Sequence, residues 1–162
     1  MAETLDRQIE VEDVSLAMVH FKNRALGSIV NSVLSPREET YLRFDFQKAS
    51  VELTALYSYT NKNWHFSQPP SIQDPVVSAS WEELSQDRHA SHTTQLAYLL
   101  DSLDRRTRPQ SNTLDVRPTI ECITGIYKSA ATGQRVQQGS IVEGDPFYYH
   151  VAAHPAQGAL GQ

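Results

Sequence analysis

The stretch VSLAMVHFKNRALGSIVNSVL, residues 14–34, decides the fold class. Two runs rich in Val, Leu and Ile flank a polar break at 22–24, where Asn23 tolerates the left-handed backbone that a tight hairpin turn requires. In the first run apolar residues occupy odd and even positions alike, so both faces of that strand are largely apolar. The stretch therefore predicts an antiparallel hairpin whose return strand covers 26–34.

The sequence that follows predicts a second hairpin. In 40–46 the apolar residues Leu42, Phe44 and Phe46 alternate with polar ones, and the run 50–56 alternates in the same way after a short turn. Strands joined by turns this short are antiparallel, because a parallel pair needs a crossover of a dozen or more residues. A further strand is expected within 57–66. We interpret 68–75, which contains three prolines, as a loop.

The second half of the chain changes to a helical period. An amphipathic stripe at i, i+3, i+4 and i+7 predicts a helix that begins near Ser91, a suitable N-cap, and buries four leucines. Those leucines are Leu96, Leu99, Leu100 and Leu103.

A second helix is predicted from near Asp115, with Pro118 in its first turn and Gly133 as its C-terminal stop. Its buried stripe is expected to consist of Val116, Ile120, Ile123 and Tyr127.

Strands followed by helices predict the α+β class, with a predominantly antiparallel open sheet and the helices packed on one face of it. No linker or repeat divides the sequence. We therefore expect a single domain over 1–162, with an ordered core at about 8–137 and an extended tail at 138–162.

Composition excludes several classes of protein. The net charge of −5 does not fit a nucleic-acid-binding surface, and no apolar run approaches the ~18 residues that a membrane span needs. The N-terminal residues are acidic and do not resemble a secretory signal. Cys122 is the single cysteine, so an internal disulfide is impossible, and a cytoplasmic location is expected.

The sequence contains no familiar catalytic motif. Its seven glycines form neither a dinucleotide-binding nor a phosphate-binding loop. The histidine pairs His89/His92 and His150/His154 have helical spacing but lack further ligands, so no metal site is predicted. Cys122 lies in an apolar helix, where we expect a buried and inert thiol.

Four segments in order resemble the C-terminal domain of the Gfo/Idh/MocA family of NAD(P)-dependent oxidoreductases. They are IEVEDVSLAMVHFKNRALGSIVNSVLS (9–35), YLRFDFQKASVEL (41–53), HTTQLAYLLDSLDRRTRP (92–109) and PTIECITGIYKSAATGQRV (118–136). The last ends in a run similar to the family's Tyr-x-Ser-x-x-Thr-Gly-x-x-Val. The chain departs from the family at Arg24, where the family usually has glycine. The resemblance covers about 8–137.

The resemblance implies a parent enzyme that uses NAD or NADP to oxidise a sugar, inositol or related polyol. The family's dinucleotide-binding Rossmann domain, its Glu-Lys-Pro segment and its Asp-x-x-x-His helix have no counterpart here. We therefore expect a truncated chain that is not catalytic alone, with no catalytic or cofactor-binding residue. Expected partners are the missing Rossmann domain and further copies of the chain, bound through the open sheet face. Arg37 and His92 are the candidate residues of the substrate pocket.

Two other hypotheses remain open from the residues alone. One is a free-standing, non-catalytic module that dimerises through the open sheet face, because helices can cover only one of two apolar faces. The other is an unrelated small α+β enzyme with a pocket between the sheet and the helices.

Overall fold

The computed structural model describes residues 1–6, 11–55, 59–72, 74–82 and 87–151. These residues form two compact units. The first unit comprises Met1–Ser35 and Ser111–Gln162, and the second comprises Pro36–Gln110. The elements in chain order are β1 (Ala2–Glu3), β2 (Val14–His20), β3 (Leu26–Ser32), β4 (Tyr41–Asp45), β5 (Ser50–Thr54), β6 (Trp64–Ser67), α1 (Pro75–Glu82), α2 (His92–Asp104), α3 (Thr113–Thr132) and α4 (Pro146–Tyr149).

Two antiparallel sheets of three strands each, together with these helices, confirm the α+β class and the antiparallel pairing. The strand orders are β1-β2-β3 and β4-β5-β6. We had expected one continuous meander, but within the described residues β3 and β4 belong to different sheets. Between them lie Pro36, which lacks a backbone N–H, and Glu38, whose φ is 47°. The strand expected within 57–66 lies partly outside the described residues. In the described part of this range, strand β6 begins at Trp64.

The hairpin predicted from residues 14–34 is present in the first unit. Leu16 pairs with Val30 and His20 with Leu26, and Phe21 closes the turn by donating its N–H to the carbonyl of Ala25. Arg24 has a φ of 71°, so the turn does require a left-handed residue. The sequence predicts Asn23 as this left-handed residue, and the structure places it one position later, at Arg24. The Asn23 side-chain oxygen instead accepts the N–H of Ala25.

Polar cross-links hold the rest of the first unit on this sheet. The buried Asp13 carboxylate accepts the backbone N–H groups of Leu5 and Asp6 at 2.8 and 2.9 Å. Tyr127 of α3 donates its hydroxyl to Glu12 Oε1 at 2.6 Å. That bond raises the pKa of the Tyr127 phenol, because ionisation would place two negative charges side by side.

Residues 134–151, here called the return segment, fold back onto α3. Lys128 forms an ion pair with Asp145, and Glu121 accepts the N–H of Gly139. Asp145 also caps α4, whose Phe147 is buried. The described part of the expected tail 138–162 is therefore attached to α3 and partly helical, and 152–162 lie outside the described residues.

The second unit is built on the alternation seen in the sequence. Leu42, Phe44, Val51, Leu53, Trp64 and Phe66 share one face of the sheet, as the pairing of Leu42 with Leu53 and of Val51 with Phe66 requires. Leu53 on the central strand is 5% exposed. Trp81 of α1 stacks on Phe66 with ring centroids 5.2 Å apart. Helix α1 therefore contacts the apolar face at its edge strand, β6.

Helix α1 lies at the end of the region interpreted as a loop, and the sequence prediction missed it. Asp74 accepts the N–H of Val76, and Pro75 occupies the first helical position. This Asp-Pro pair is a helix-start signal, because proline lacks an N–H at a position where helices leave that group unpaired anyway.

The two long helices form where the sequence predicts them, but of the residues predicted in their buried stripes Tyr127 alone is half-buried and the others are exposed. Ser91 caps α2, and Gly133 ends α3 with a φ of 65°. Asn112 caps α3 and starts it before Asp115, so Pro118 lies inside the helix and not in its first turn. Leu96, Leu99, Leu100 and Leu103 on α2 are 40–60% exposed, and Val116, Ile120 and Ile123 on α3 are 42–51% exposed.

None of the helices in the described part of the chain is both long enough and apolar enough to cross a bilayer.

Candidate functional site

Polar side chains gather on the face of the second sheet opposite the one on which Trp81 of α1 stacks on Phe66. Alternation along β4, β5 and β6 directs every second residue to this side. We call this surface the polar face, and it consists of Tyr41, Arg43, Asp45, Ser50, Glu52, Thr54, His65 and Ser67.

A row of three charged or titratable residues crosses the polar face. Arg43 on β4 is paired with Glu52 on the central strand, and Glu52 is paired with His65 on β6. Neighbouring strands lie about 4.8 Å apart, so the three side chains project side by side. The row therefore alternates a cation, an anion and an imidazole.

Tyr41 extends the row towards one end of the strands. Its hydroxyl donates a hydrogen bond of 2.5 Å to Glu52 Oε1. This bond raises the pKa of the Tyr41 phenol, because a phenolate would lie beside the carboxylate. Tyr41 therefore remains a neutral donor well above neutral pH, and its ring is 51% exposed.

Asp45 is held at the other end of β4 by two donors. Ser50 Oγ lies 2.6 Å and Arg43 Nε 2.9 Å from Asp45 Oδ1. These hydrogen bonds, from Ser50 first and then Arg43, lower the pKa of the Asp45 carboxyl. The Arg43 and Asp45 side chains are 53% and 59% exposed, so both can also reach a ligand from solvent.

The chemistry of the polar face suits recognition by hydrogen bonds. Carboxylates accept, the guanidinium donates, and the phenol, hydroxyl and imidazole can do either. The polar face therefore presents hydrogen-bond donors and acceptors that a ligand can reach from solvent.

The two residues singled out from the sequence lie elsewhere. Arg37 forms an ion pair with Glu39, and its side chain is 79% exposed. His92 begins α2, where its Nδ1 lies 3.0 Å from Gln95 Oε1. No hydrogen bond or ion pair seen among the described residues joins Arg37 to His92.

A shallow groove of about 490 Å³ runs along α2 and does not include His92 among its lining residues. It is lined by Thr93, Thr94, Ala97, Tyr98, Asp101 and Arg105. All of them belong to one helix and its C-cap, so the groove is not a pocket between sheet and helices.

Two further expectations concern reactive groups. Cys122 is exposed on α3, so the prediction of a buried thiol was wrong: α3 leaves this stretch uncovered. Within the part of the chain that the structure describes, no three His, Cys, Asp or Glu side chains are placed to hold a metal ion. His154 falls outside that part.

No residue of the polar face is among the two site residues predicted from the sequence, Arg37 and His92. Alternation already placed Tyr41, Arg43 and Asp45 on one side of a strand. Their meeting with Glu52 and His65 depends on register across three strands, which alternation within one strand does not fix.

A scan against protein-family models, a search of curated proteins and a search of solved structures each found no match to this chain.

Proposed function

We propose that this chain is the C-terminal substrate-binding and oligomerisation domain of an NAD(P)-dependent oxidoreductase that acts on a sugar, inositol or related polyol. Four segments that resemble the Gfo/Idh/MocA family in order support the family part of the proposal. The observation that carries the functional part is a pair of open sheet faces, one apolar and one polar. In this proposal, the missing Rossmann domain supplies the cofactor and the catalytic residues.

The apolar open face belongs to the hairpin of β2 and β3. We call it the outer face, and it comprises Leu16, Met18, His20, Leu26, Ser28 and Val30. Met18, Leu26 and Val30 are 78%, 72% and 67% exposed, whereas Val19 and Ile29 on the opposite side are half-buried.

An exposed apolar surface of this kind typically marks an interface. The β2–β3 part of the outer face has no Asp, Glu, Lys or Arg, whereas the exposed Glu3 of β1, which pairs with Val14, lies on the same side at the edge of the sheet. Two copies of a chain with net charge −5 can therefore meet through the β2–β3 part without bringing like charges together. This supports self-association through the outer face.

A second candidate function is a free-standing dimerisation module without enzymatic ancestry. The same outer face favours it. The coding sequence immediately upstream separates the two candidates. A strand, a G-x-G-x-x-G loop and a helix followed by Glu-Lys-Pro would support the oxidoreductase, and their absence would favour the module.

Light scattering after size-exclusion chromatography tests the association. We expect the chain to be a dimer or larger and Val30→Lys to shift it to monomer, because a buried ammonium group is costly. Val76→Lys is the matched control, since Val76 is 78% exposed on α1 in the other unit. The proposal would be contradicted if the unsubstituted chain were monomeric at high concentration. It would also be contradicted if Val30→Lys and Val76→Lys changed the oligomeric state equally.

Cofactor titration tests the other half of the proposal. The isolated chain should bind neither NAD(H) nor NADP(H), because it lacks a glycine-rich phosphate loop. Saturable micromolar binding of either cofactor would contradict the assignment.

A further inference from the structure

Strand β3 has the longest unpaired edge among the strands that the structure describes. It lies at the end of its sheet, and each of its residues pairs with β2 on one side only. Just after β3, Val33 donates its N–H to the carbonyl of Asp13, so the odd-numbered residues of this stretch face the β2 side. The even-numbered residues therefore point their backbone N–H and C=O groups outward, and they are Leu26, Ser28, Val30 and Ser32.

The other sheet edges in the described residues carry features that discourage pairing. β1 has two residues, and β6 has four and is followed after one residue by Pro69 and Pro70. β4 carries the charged side chains of Arg43 and Asp45. Short length, charge and proline all protect edge strands from pairing with another chain. β3, LGSIVNS, has seven residues in continuous register with no charge and no proline, so it lacks this protection.

The edge of β3 is complementary to the same edge of a second copy. A two-fold axis through Ile29, perpendicular to the sheet, sets two β3 strands antiparallel and places Ser28 opposite Val30 of the second copy. Both residues point their backbone groups outward, so the pair can exchange two N–H···O bonds. Directly opposite side chains lie on the same side of a sheet, so the outer faces of the two copies would become continuous.

Charge favours this antiparallel arrangement of two copies. The turn end of the hairpin carries the exposed Lys22 and Arg24. The opposite end carries Glu3, which pairs with Val14, and Glu12 just before β2. The two-fold axis brings the basic end of each copy beside the acidic end of the other, whereas parallel pairing would bring like ends together. Complementary charges orient association, and like charges oppose it.

We infer that two copies of this chain join through the open edges of β3, antiparallel about Ile29, to form one continuous sheet of six strands. The inference goes beyond self-association through the outer face, because the edge contacts are backbone hydrogen bonds and leave the outer-face side chains in solvent. The pairing is isologous and closes at two copies, since it uses the β3 edge of both. Val30 belongs to both surfaces, by its side chain and by its outward N–H.

Hydrogen exchange of individual amides in the full chain, followed by NMR, tests the inference. In an unpaired β3, β2 protects the N–H groups of Gly27 and Ile29, whereas those of Ser28 and Val30 are open to water. In the edge pair all four are protected. We expect Ser28 and Val30 to exchange about tenfold more slowly, or slower still, when the chain is concentrated from monomer to dimer. Gly27 and Ile29 should change less.

Matched variants separate the edge from the face. Ser28→Pro removes an outward N–H and no bond to β2, so it should abolish the added protection of Val30. Arg43→Pro is the control, because Arg43 has an outward N–H on the edge strand β4 of the other unit. Met18→Lys charges the outer face away from the edge and should leave the protection in place. A two-dimensional amide spectrum checks that each variant is folded.

The outcomes distinguish the two modes of association. Protection of Ser28 and Val30 that survives Met18→Lys and is lost in Ser28→Pro supports the edge pair. Free exchange of Ser28 and Val30 in an oligomer that Met18→Lys dissociates would overturn the inference and leave the outer-face proposal standing. Growth of Met18→Lys beyond two copies would overturn the closed pair. A chain that stays monomeric at high concentration would overturn both.

Discussion

The two units are stabilised in different ways. The second unit has an amphipathic sheet whose central Leu53 is buried and whose Phe66 stacks on Trp81 of α1. The first unit instead has polar cross-links from Glu12 and Asp13 and the ion pair that attaches the return segment, and its sheet leaves an apolar outer face in solvent. In the second unit, the alternation of apolar and polar residues indicates which face of the sheet is buried. The hairpin of the first unit is apolar on both faces, so it needs a further partner to cover the exposed one.

The largest effect is expected where the second unit packs most tightly. Leu53→Ala should lower the free energy of unfolding by about 2–5 kcal/mol, because it leaves a cavity under the sheet. Trp64 and Trp81 both lie in this unit, so tryptophan fluorescence during urea denaturation measures it. Leu42→Ala, at a position 43% exposed on the same face, is the control and should cost much less. Equal losses would show that Leu53 is not the core.

In the first unit, Tyr127→Phe tests how much a polar cross-link contributes to stability, for comparison with the apolar contacts of Leu53. Removing the hydroxyl that donates to Glu12 should cost about 1.5–3 kcal/mol, the range of a hydrogen bond to a charged group. Amide resonances of Gly125 and Gly133, followed during denaturation, report on α3. Tyr149→Phe is the control, since Tyr149 is 59% exposed. An unchanged denaturation midpoint for Tyr127→Phe would mean that the stability of the first unit does not depend on the hydrogen bond from Tyr127 to Glu12.

The two hairpin turns predict opposite responses to glycine. Arg24 has a φ of 71°, whereas the turn closed by Phe46 and Ala49 contains no residue with positive φ. Arg24→Gly should therefore stabilise the protein by about 0.5–1 kcal/mol, because glycine has no strain in the left-handed region. Lys48→Gly should destabilise it slightly, since it only adds freedom to the unfolded chain. Thermal unfolding of both variants distinguishes them, and the same sign for both would contradict this account.

Acid should affect the return segment. Hydrogen bonds from Lys128 and from the N–H of Phe147 lower the pKa of Asp145 in the folded protein. Its contribution to stability is therefore complete above the unfolded carboxyl's pKa of about 3.9 and is lost as the pH falls through the lower folded value. The amide signals of α4 should weaken in that range. Asp145→Asn should abolish this acid dependence and Asp104→Asn should not. If the α4 amide signals of the unsubstituted chain and of Asp145→Asn changed identically with acid, Asp145 would not stabilise the return segment.

Local signals in the sequence were sufficient for most elements. Ser91 and Gly133 mark helix ends because capping involves only neighbouring residues, and alternation over 40–46 placed Tyr41, Arg43 and Asp45 on one face. The two missed helices, α1 and α4, each begin at an Asp-Pro pair, Asp74-Pro75 and Asp145-Pro146. An Asp-Pro pair is a local signal, because the aspartate caps the helix and the proline occupies its first turn.

Other features required the tertiary structure. The sequence shows a leucine stripe on α2 but not whether another element covers it, and the structure leaves it exposed. Likewise, the strand pattern does not state that β3 and β4 belong to different sheets, or that Arg43, Glu52 and His65 form one row. The sequence by itself determined the elements and the faces of each strand, because these depend on residues a few positions apart. Only the tertiary structure decided which faces stay open and which side chains meet, because burial and strand register depend on contacts between distant segments.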